Sequence, residues 1–200
     1  MRLGQVLDRL EQANIRLKLS KCMFCANTVE YLGHVVSDKG VLPNPKKVER
    51  LQGMAPPVNV SEVRSFLGLA GYYRRFVRNF AETTSPITQL LKADHKFEWT
   101  VQCQVAFDSI KTLLTTAPVL AYPNFTKSFV LDPDGCDYSV GAVLSQYDDL
   151  GIEHSVAYFS RTLLPREEKV PHNTKRMSGN GGRNEAFPTL LVGTHIHRPD

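Results

Sequence analysis

The chain has 200 residues, 42% hydrophobic and 22% charged, with 24 Lys and Arg against 20 Asp and Glu for a net charge of +4. Those proportions suit one or two modest soluble domains and exclude a chain that is disordered throughout. The slight basic excess is compatible with a polyanionic partner without requiring one.

Met1-Arg2-Leu3 leads into charged, amphipathic sequence without the apolar run of a signal peptide. No stretch reaches the ~18 apolar residues of a membrane span. An intracellular, soluble chain is therefore the expectation, with cytoplasm and nucleus both open.

Leu3, Val6, Leu7 and Leu10 share a helical face within residues 3–14. Ile15 to Leu19 alternates apolar and basic residues, the period of a half-buried strand. The four cysteines fall at 22, 25, 103 and 136. Cys22 and Cys25 form a C-x-x-C that could be half of a zinc site or a redox pair. His34 has no partner at finger spacing, however, and reduced thiols, one or two of them in a core, are the favoured reading.

Thr28 to Ser37 reads as a strand, and Ser37-Asp38-Lys39-Gly40 as a turn before Val41-Leu42. Asn44-Pro45 is a helix start, with Asn44 as cap and Pro45 in the first turn. That helix ends near Gly53, and Pro56-Pro57 separates it from the next. Over residues 61–80 the spacing of Phe66, Leu69, Tyr73, Phe76, Val77 and Phe80 predicts one long helix. Arg64, Arg74, Arg75 and Arg78 would then gather opposite, as a solvated face or as phosphate contacts.

A further helix is predicted over 100–115, from Phe107, Ile110, Leu113 and Leu114. Strands follow at about 128–132, 139–146 and 154–159. Asp148-Asp149-Leu150-Gly151 turns the second strand into the third, giving an antiparallel meander. After Val170 no apolar period is sustained, and residues 171–200 read as loop or disorder.

Several motifs, in family order, resemble the polyprotein of a gypsy-type LTR retrotransposon. Leu17-Lys18-Leu19-Ser20-Lys21-Cys22 and Val29-Glu30-Tyr31-Leu32-Gly33-His34-Val35-Val36-Ser37 resemble the end of a reverse transcriptase palm with its primer-grip hairpin. Gly40-Val41-Leu42-Pro43-Asn44-Pro45-Lys46-Lys47-Val48 follows at the family's usual place. Arg64-Ser65-Phe66-Leu67-Gly68-Leu69-Ala70-Gly71-Tyr72-Tyr73-Arg74-Arg75-Phe76 is similar to its thumb helix. Phe97-Glu98-Trp99 with Ala106-Phe107 resembles the connecting helix. The run from Phe129 through Asp134 to Gln146, with Tyr158 to Leu163, is similar to the opening strands of a ribonuclease H domain.

The resemblance implies an α+β fold: a helical thumb and connection followed by an incomplete ribonuclease H-like antiparallel sheet. It divides the chain into the palm end with its hairpin (1–43), thumb and connection (44–125), partial ribonuclease H-like domain (126–170) and divergent tail (171–200). It favours phosphate contact for Arg64, Arg74, Arg75 and Arg78. It sets Leu32 and Gly33 near a primer terminus, with ordinary core packing the other reading of Leu32. The partner it implies is an RNA–DNA hybrid or duplex, with no membrane and with association possible through an unpaired sheet edge.

Asp134 matches the first metal aspartate of the family, but within Pro133-Asp134-Gly135-Cys136 in place of the usual Thr-Asp-Ala-Ser. Asp132 and Asp137 are expected, by strand alternation, to point away from that site. Two Mg2+ ions on several carboxylates are the family's chemistry, and a complete site is not expected here. The polymerase aspartates of the family lie upstream of the matched region, and Asp148-Asp149 reads as a solvent turn. No glutamate stands where the family's catalytic helix carries one: Glu167 and Glu168 fall too early and Glu185 sits outside any helical pattern. A frameshift at Val170 would explain this, because a shifted frame permits a helix with glutamate across the codons of Arg176 and Met177. The expected function is a nucleic-acid-binding, catalytically incomplete fragment. Residual ribonuclease H activity and a bare nucleic-acid-binding module stand as alternatives.

Overall fold

The computed structural model describes residues 2–92, 96–136, 138–164 and 196–197. Val170, where the frameshift is placed, lies outside the described residues, as do Asp137, Glu167, Glu168 and Glu185. So does the loop or disorder expected over 171–200, except at Ile196 and His197.

Helix α1 (Arg2–Gln12) opens the chain, and its apolar residues Leu3, Val6 and Leu7 are exposed. Ile15 to Leu19 is not the predicted strand. It runs as exposed coil into a 3-10 turn at Leu19–Lys21. Alternation alone does not make a strand when no neighbouring strand takes up its backbone groups.

The segment predicted as one strand is a hairpin, β1 (Thr28–Tyr31) and β2 (His34–Ser37), reversed at Leu32-Gly33. Both turn residues have positive φ, 45° and 74°. Such a pair twists with the flanking strands. Strand β3 (Gly40–Pro43) completes a three-stranded antiparallel sheet in the order β1-β2-β3.

Helix α2 (Pro45–Gln52) starts as the sequence predicts. Asn44 accepts from the Lys46 amide at 2.9 Å, Pro45 fills the first turn, and Gly53 closes the end. Helix α3 (Val60–Tyr72) begins with a reciprocal cap. Asn59 Oδ1 accepts from the Glu62 amide at 2.9 Å, while the Glu62 carboxylate accepts from the Val58 amide and Asn59 Nδ2, also at 2.9 Å. The Glu62 amide, one of the orphan donors of the first turn, is satisfied in this way, and the Glu62 carboxylate holds the chain entering the helix.

The predicted helix over 61–80 breaks after Tyr72. A 3-10 turn takes Arg74–Phe76, Val77 is extended (φ −120°, ψ 116°) and Asn79 is left-handed (φ 53°, ψ 35°). Helix α4 (Phe80–Gln89), which periodicity did not separate, starts there and carries Pro86 inside it. Helix α5 (Val101–Thr115) is capped by Thr100, which accepts from the Cys103 amide at 3.3 Å.

Helices α2 to α5 enclose the larger core. Val63, Phe66, Tyr73, Phe76, Ile87, Phe107 and Ile110 are all at most 1% exposed, and the Phe66 and Phe107 rings lie 4.6 Å apart. Residues spaced across the break at 73–79 still reach this core, because the 3-10 turn keeps Tyr73, Phe76 and Val77 inward.

The second sheet has the order β6-β5-β4-β7, from β4 (Phe129–Gly135), β5 (Ser139–Tyr147), β6 (Glu153–Thr162) and the two-residue β7 (Ile196–His197). The first three are the predicted meander. β7 lies parallel to β4 at Phe129 and Val130. Phe129, Leu144, Val156 and Ala157 form a smaller core. The protein is α+β.

Helix α4 docks on this sheet through a buried hydrogen bond, from the Ala81 amide to Ser160 Oγ at 2.9 Å. Val41 and Leu120 exchange backbone hydrogen bonds at 2.9 Å, which joins the small sheet to the segment leading out of α5. The four cysteines are free, and only Cys103 among them is buried.

Candidate nucleic-acid interface and carboxylate site

The turn between β1 and β2 is held by the corner that ends α3. Tyr72 Oη donates to the Leu32 carbonyl, and Tyr73 Oη donates to the Gly33 carbonyl at 2.7 Å. A Cβ on Gly33 would meet the Tyr72 ring at 3.2 Å, so the glycine serves both the left-handed turn and the close approach. His34 packs against Tyr72, Tyr73 and Phe76, with ring centroids 5.3 to 5.7 Å away. Its Nδ1 faces the Leu32 carbonyl at 2.9 Å.

The adjacent tyrosines divide their work. Tyr73 is buried, and desolvation raises its pKa above the ordinary 10.0. Tyr72 keeps half its surface in solvent beside Leu32, which is 70% exposed. The result is an exposed knuckle (Tyr31, Leu32, Tyr72) tied by two hydrogen bonds to the corner that carries Arg74 and Arg75. Leu32 is therefore not ordinary core.

The candidate arginines sit on different pieces of backbone. Arg64 is exposed on α3, and Arg74 and Arg75 are exposed on the 3-10 turn. The Arg75 guanidinium lies 5.8 Å from the Phe76 ring centre, and partial burial of this group lowers its pKa even though the residue as a whole is exposed. Arg78 is engaged elsewhere. Its Nη2 lies 3.4 Å from Asp132 Oδ2 and 3.8 Å from Asp134 Oδ2.

That contact corrects the expectation for Asp132. Side chains of a strand alternate, so residues two apart share a face. Asp132 and Asp134 both reach Arg78. In register, Asp132 faces Val143 and Asp134 faces Gly141. Asp134 Oδ2 also accepts from Asn79 Nδ2 at 3.0 Å. Asn79 gave no signal in the sequence, since its contact with Asp134 spans 55 positions.

A two-metal centre needs several carboxylates turned toward a common point. No group of three or more His, Cys, Asp or Glu among the described residues is placed to hold a metal ion. Asp132 and Asp134 offer two carboxylates already facing a guanidinium, and that donor set does not fit a pair of magnesium ions. Asp148 is a turn anchor: it accepts from the Leu150 and Ile152 amides and from His154 Nε2 at 2.8 to 2.9 Å. The hydrogen bond from His154 is the main reason its pKa falls to about 2.

Residues 99–197 match the family described as the RNase H-like domain found in reverse transcriptase. The chain is 34% identical over 202 aligned positions to the Pol polyprotein of transposon 412 from Drosophila melanogaster, which covers 98% of the chain and 16% of that protein. It is 37% identical to the Pol polyprotein of transposon opus from the same fly (86% of the chain, 18% of that protein). Against the Tf2-3 polyprotein of Schizosaccharomyces pombe it is 36% identical, over 86% of the chain and 13% of that protein. The chain thus spans less than a fifth of the length of these relatives.

Among solved structures, a foamy viral protease-reverse transcriptase in complex with an RNA/DNA hybrid shares the fold at TM-score 0.80 and 22% identity, over 98% of this chain and 27% of that one. The same protein in complex with dsDNA gives TM-score 0.78, over 98% of this chain and 41% of that one.

Proposed function

This chain belongs with the Pol polyproteins of LTR retrotransposons, as a segment of reverse transcriptase with an RNase H-like domain, and from that premise we propose that it binds RNA–DNA hybrid or duplex DNA without hydrolysing it. The gypsy type fits the relatives, and residues 44–125 are read as thumb and connection.

One observation carries the reading: the Leu32-Gly33 turn is tied by two tyrosine hydroxyls to the corner that presents Arg74 and Arg75. An exposed knuckle tied to a corner that carries guanidinium groups suits a duplex end. Apolar and aromatic surface meets the terminal base pair, and arginine forks take phosphate oxygens. Arg64 adds an exposed guanidinium on α3. No helix among the described residues is long and apolar enough to cross a membrane.

Binding of a labelled hybrid, followed by fluorescence anisotropy over a range of salt, tests this. Affinity should fall steeply with salt, and replacing Arg64, Arg74 and Arg75 by Gln should reduce the log–log slope by ~3. No binding at low salt would leave the arginines as a merely solvated face.

A second reading is favoured by one observation, that Asp132 and Asp134 share a face. It is residual ribonuclease H activity, with magnesium supplied and other carboxylates recruited. Cleavage of a hybrid that requires magnesium and vanishes in Asp134→Asn would establish it and overturn the first reading.

A further inference from the structure

We infer that Arg78, which also reaches Asp132, has taken the place of a metal cation at Asp134, and that Asn79 clamps Asp134, so that a catalytic position now latches the α3–α4 corner to the sheet. Two carboxylates on one face of a strand repel each other unless a cation lies between them. Among the described residues, the cationic side chain near both is Arg78, whose Nη2 is 3.4 Å from Asp132 and 3.8 Å from Asp134.

The backbone at Asn79 is organised around the same point. Asn79 is the N-cap of α4, where an asparagine ordinarily uses its side-chain oxygen to accept from the first turn. Here it makes no such hydrogen bond. Its amide instead donates to Asp134 at 3.0 Å, from a left-handed backbone.

The other end of that amide explains Gly141, the register partner of Asp134. A Cβ on Gly141 would lie 2.9 Å from Asn79 Oδ1 and 3.4 Å from the Phe159 carbonyl. The glycine leaves a seat for the asparagine. Two residues further on, the buried bond from Ala81 to Ser160 fastens the start of α4 to β6. Arg78, Asn79 and Ala81 thus bind the sheet in close succession.

This inference deepens the proposed function at one position. It rests on the family equivalence of Asp134 and not on nucleic-acid binding, so a chain that fails to bind hybrid leaves it intact. Thermal unfolding of the full chain, in EDTA and in millimolar MgCl2, decides it. An apo metal site is relieved by losing a carboxylate, whereas an ion pair is weakened. Asp134→Asn should therefore lower Tm in EDTA, by on the order of 2 °C for an exposed pair in a chain this size.

The loss should disappear in an Arg78→Met background, and magnesium should shift wild type no more than Asp134→Asn. Gly141→Ala, which favours a strand in isolation, should lower Tm by displacing Asn79. A Tm that rises or stays fixed in Asp134→Asn would overturn the cation's replacement by Arg78, and so would a saturable magnesium stabilisation lost in that variant. A Gly141→Ala protein as stable as wild type would overturn the clamp.

Discussion

Tyr73 donates to the Gly33 carbonyl from a residue that is 1% exposed, and the same carbonyl accepts from the Asn44 amide at 3.2 Å. Tyr73→Phe should cost about 0.5–1.5 kcal/mol, the net value of one hydrogen bond to a carbonyl that keeps its other donor, measured as the shift in urea midpoint at unchanged slope. The same residue gives an alkaline signature. Desolvation raises its folded pKa above the ordinary 10.0, so its contribution is full below pH 10 and is lost as pH rises through the folded value. The stability gap between wild type and Tyr73→Phe should narrow there, and a gap constant into strong alkali would contradict the burial. Single residues are unevenly legible. Asp134 can be singled out from its strand, its glycine-marked neighbour and the family pattern. Asp132 is misplaced in the sequence reading although the period-two rule puts it beside Asp134. Asn79 is invisible there because nothing local announces a hydrogen bond across 55 positions.

Elements whose ends carry their own chemistry are the readable ones. Asn44-Pro45 before α2 and the Asp148 turn between β5 and β6 lie where the sequence puts them, and α5 starts within a residue of its predicted beginning. Periodicity fails at 73–79 because a 3-10 turn followed by an extended residue happens to keep the apolar side chains inward, so the pattern continues while the helix does not. It fails at Ile15 to Leu19 for the opposite reason: the pattern is present and the pairing strand is not. Two tests belong at this scale. Asn59→Ala removes the cap of α3 while leaving the Glu62 carboxylate its bond from the Val58 amide, for an expected loss of about 1 kcal/mol by denaturant titration; a loss within error would mean that the Asn59 side chain adds nothing to the first turn. At the β5–β6 turn the Asp148 pKa is depressed from 3.8 to about 2, so its contribution exists above pH 3.8 and is lost as pH falls toward 2. The difference between wild type and Asp148→Asn should shrink across that window, and a difference unchanged at pH 2 would show that the charge of Asp148 plays no part.

Two cores in one chain invite independent unfolding, and the contacts between them argue against it. The Val41–Leu120 pair, the Ala121 amide on the Ser155 carbonyl at 2.8 Å, the Ala81–Ser160 bond and the Asn79–Asp134 contact tie the helical part, the small sheet and the second sheet together. Leu120 is fully buried at this junction, and Tyr158 of β6 packs against the larger core. Among the described residues the smaller core has four buried members, too thin to stand alone against the entropy of ordering three strands. The chain offers a clean probe, because its one tryptophan, Trp99, packs edge-on against Phe107 in the larger core with ring centroids 5.8 Å apart. Phe129→Ala empties a ring from the smaller core and should cost about 3–5 kcal/mol. If the molecule is one cooperative unit, that loss appears in the Trp99 fluorescence transition, although Trp99 belongs to the other core, and it coincides with the transition seen by circular dichroism. A Trp99 midpoint that stays put while the dichroism splits into two steps would show that the sheet melts by itself. The crossing contacts would then be too weak to hold the arginine-bearing corner and the sheet as one rigid body.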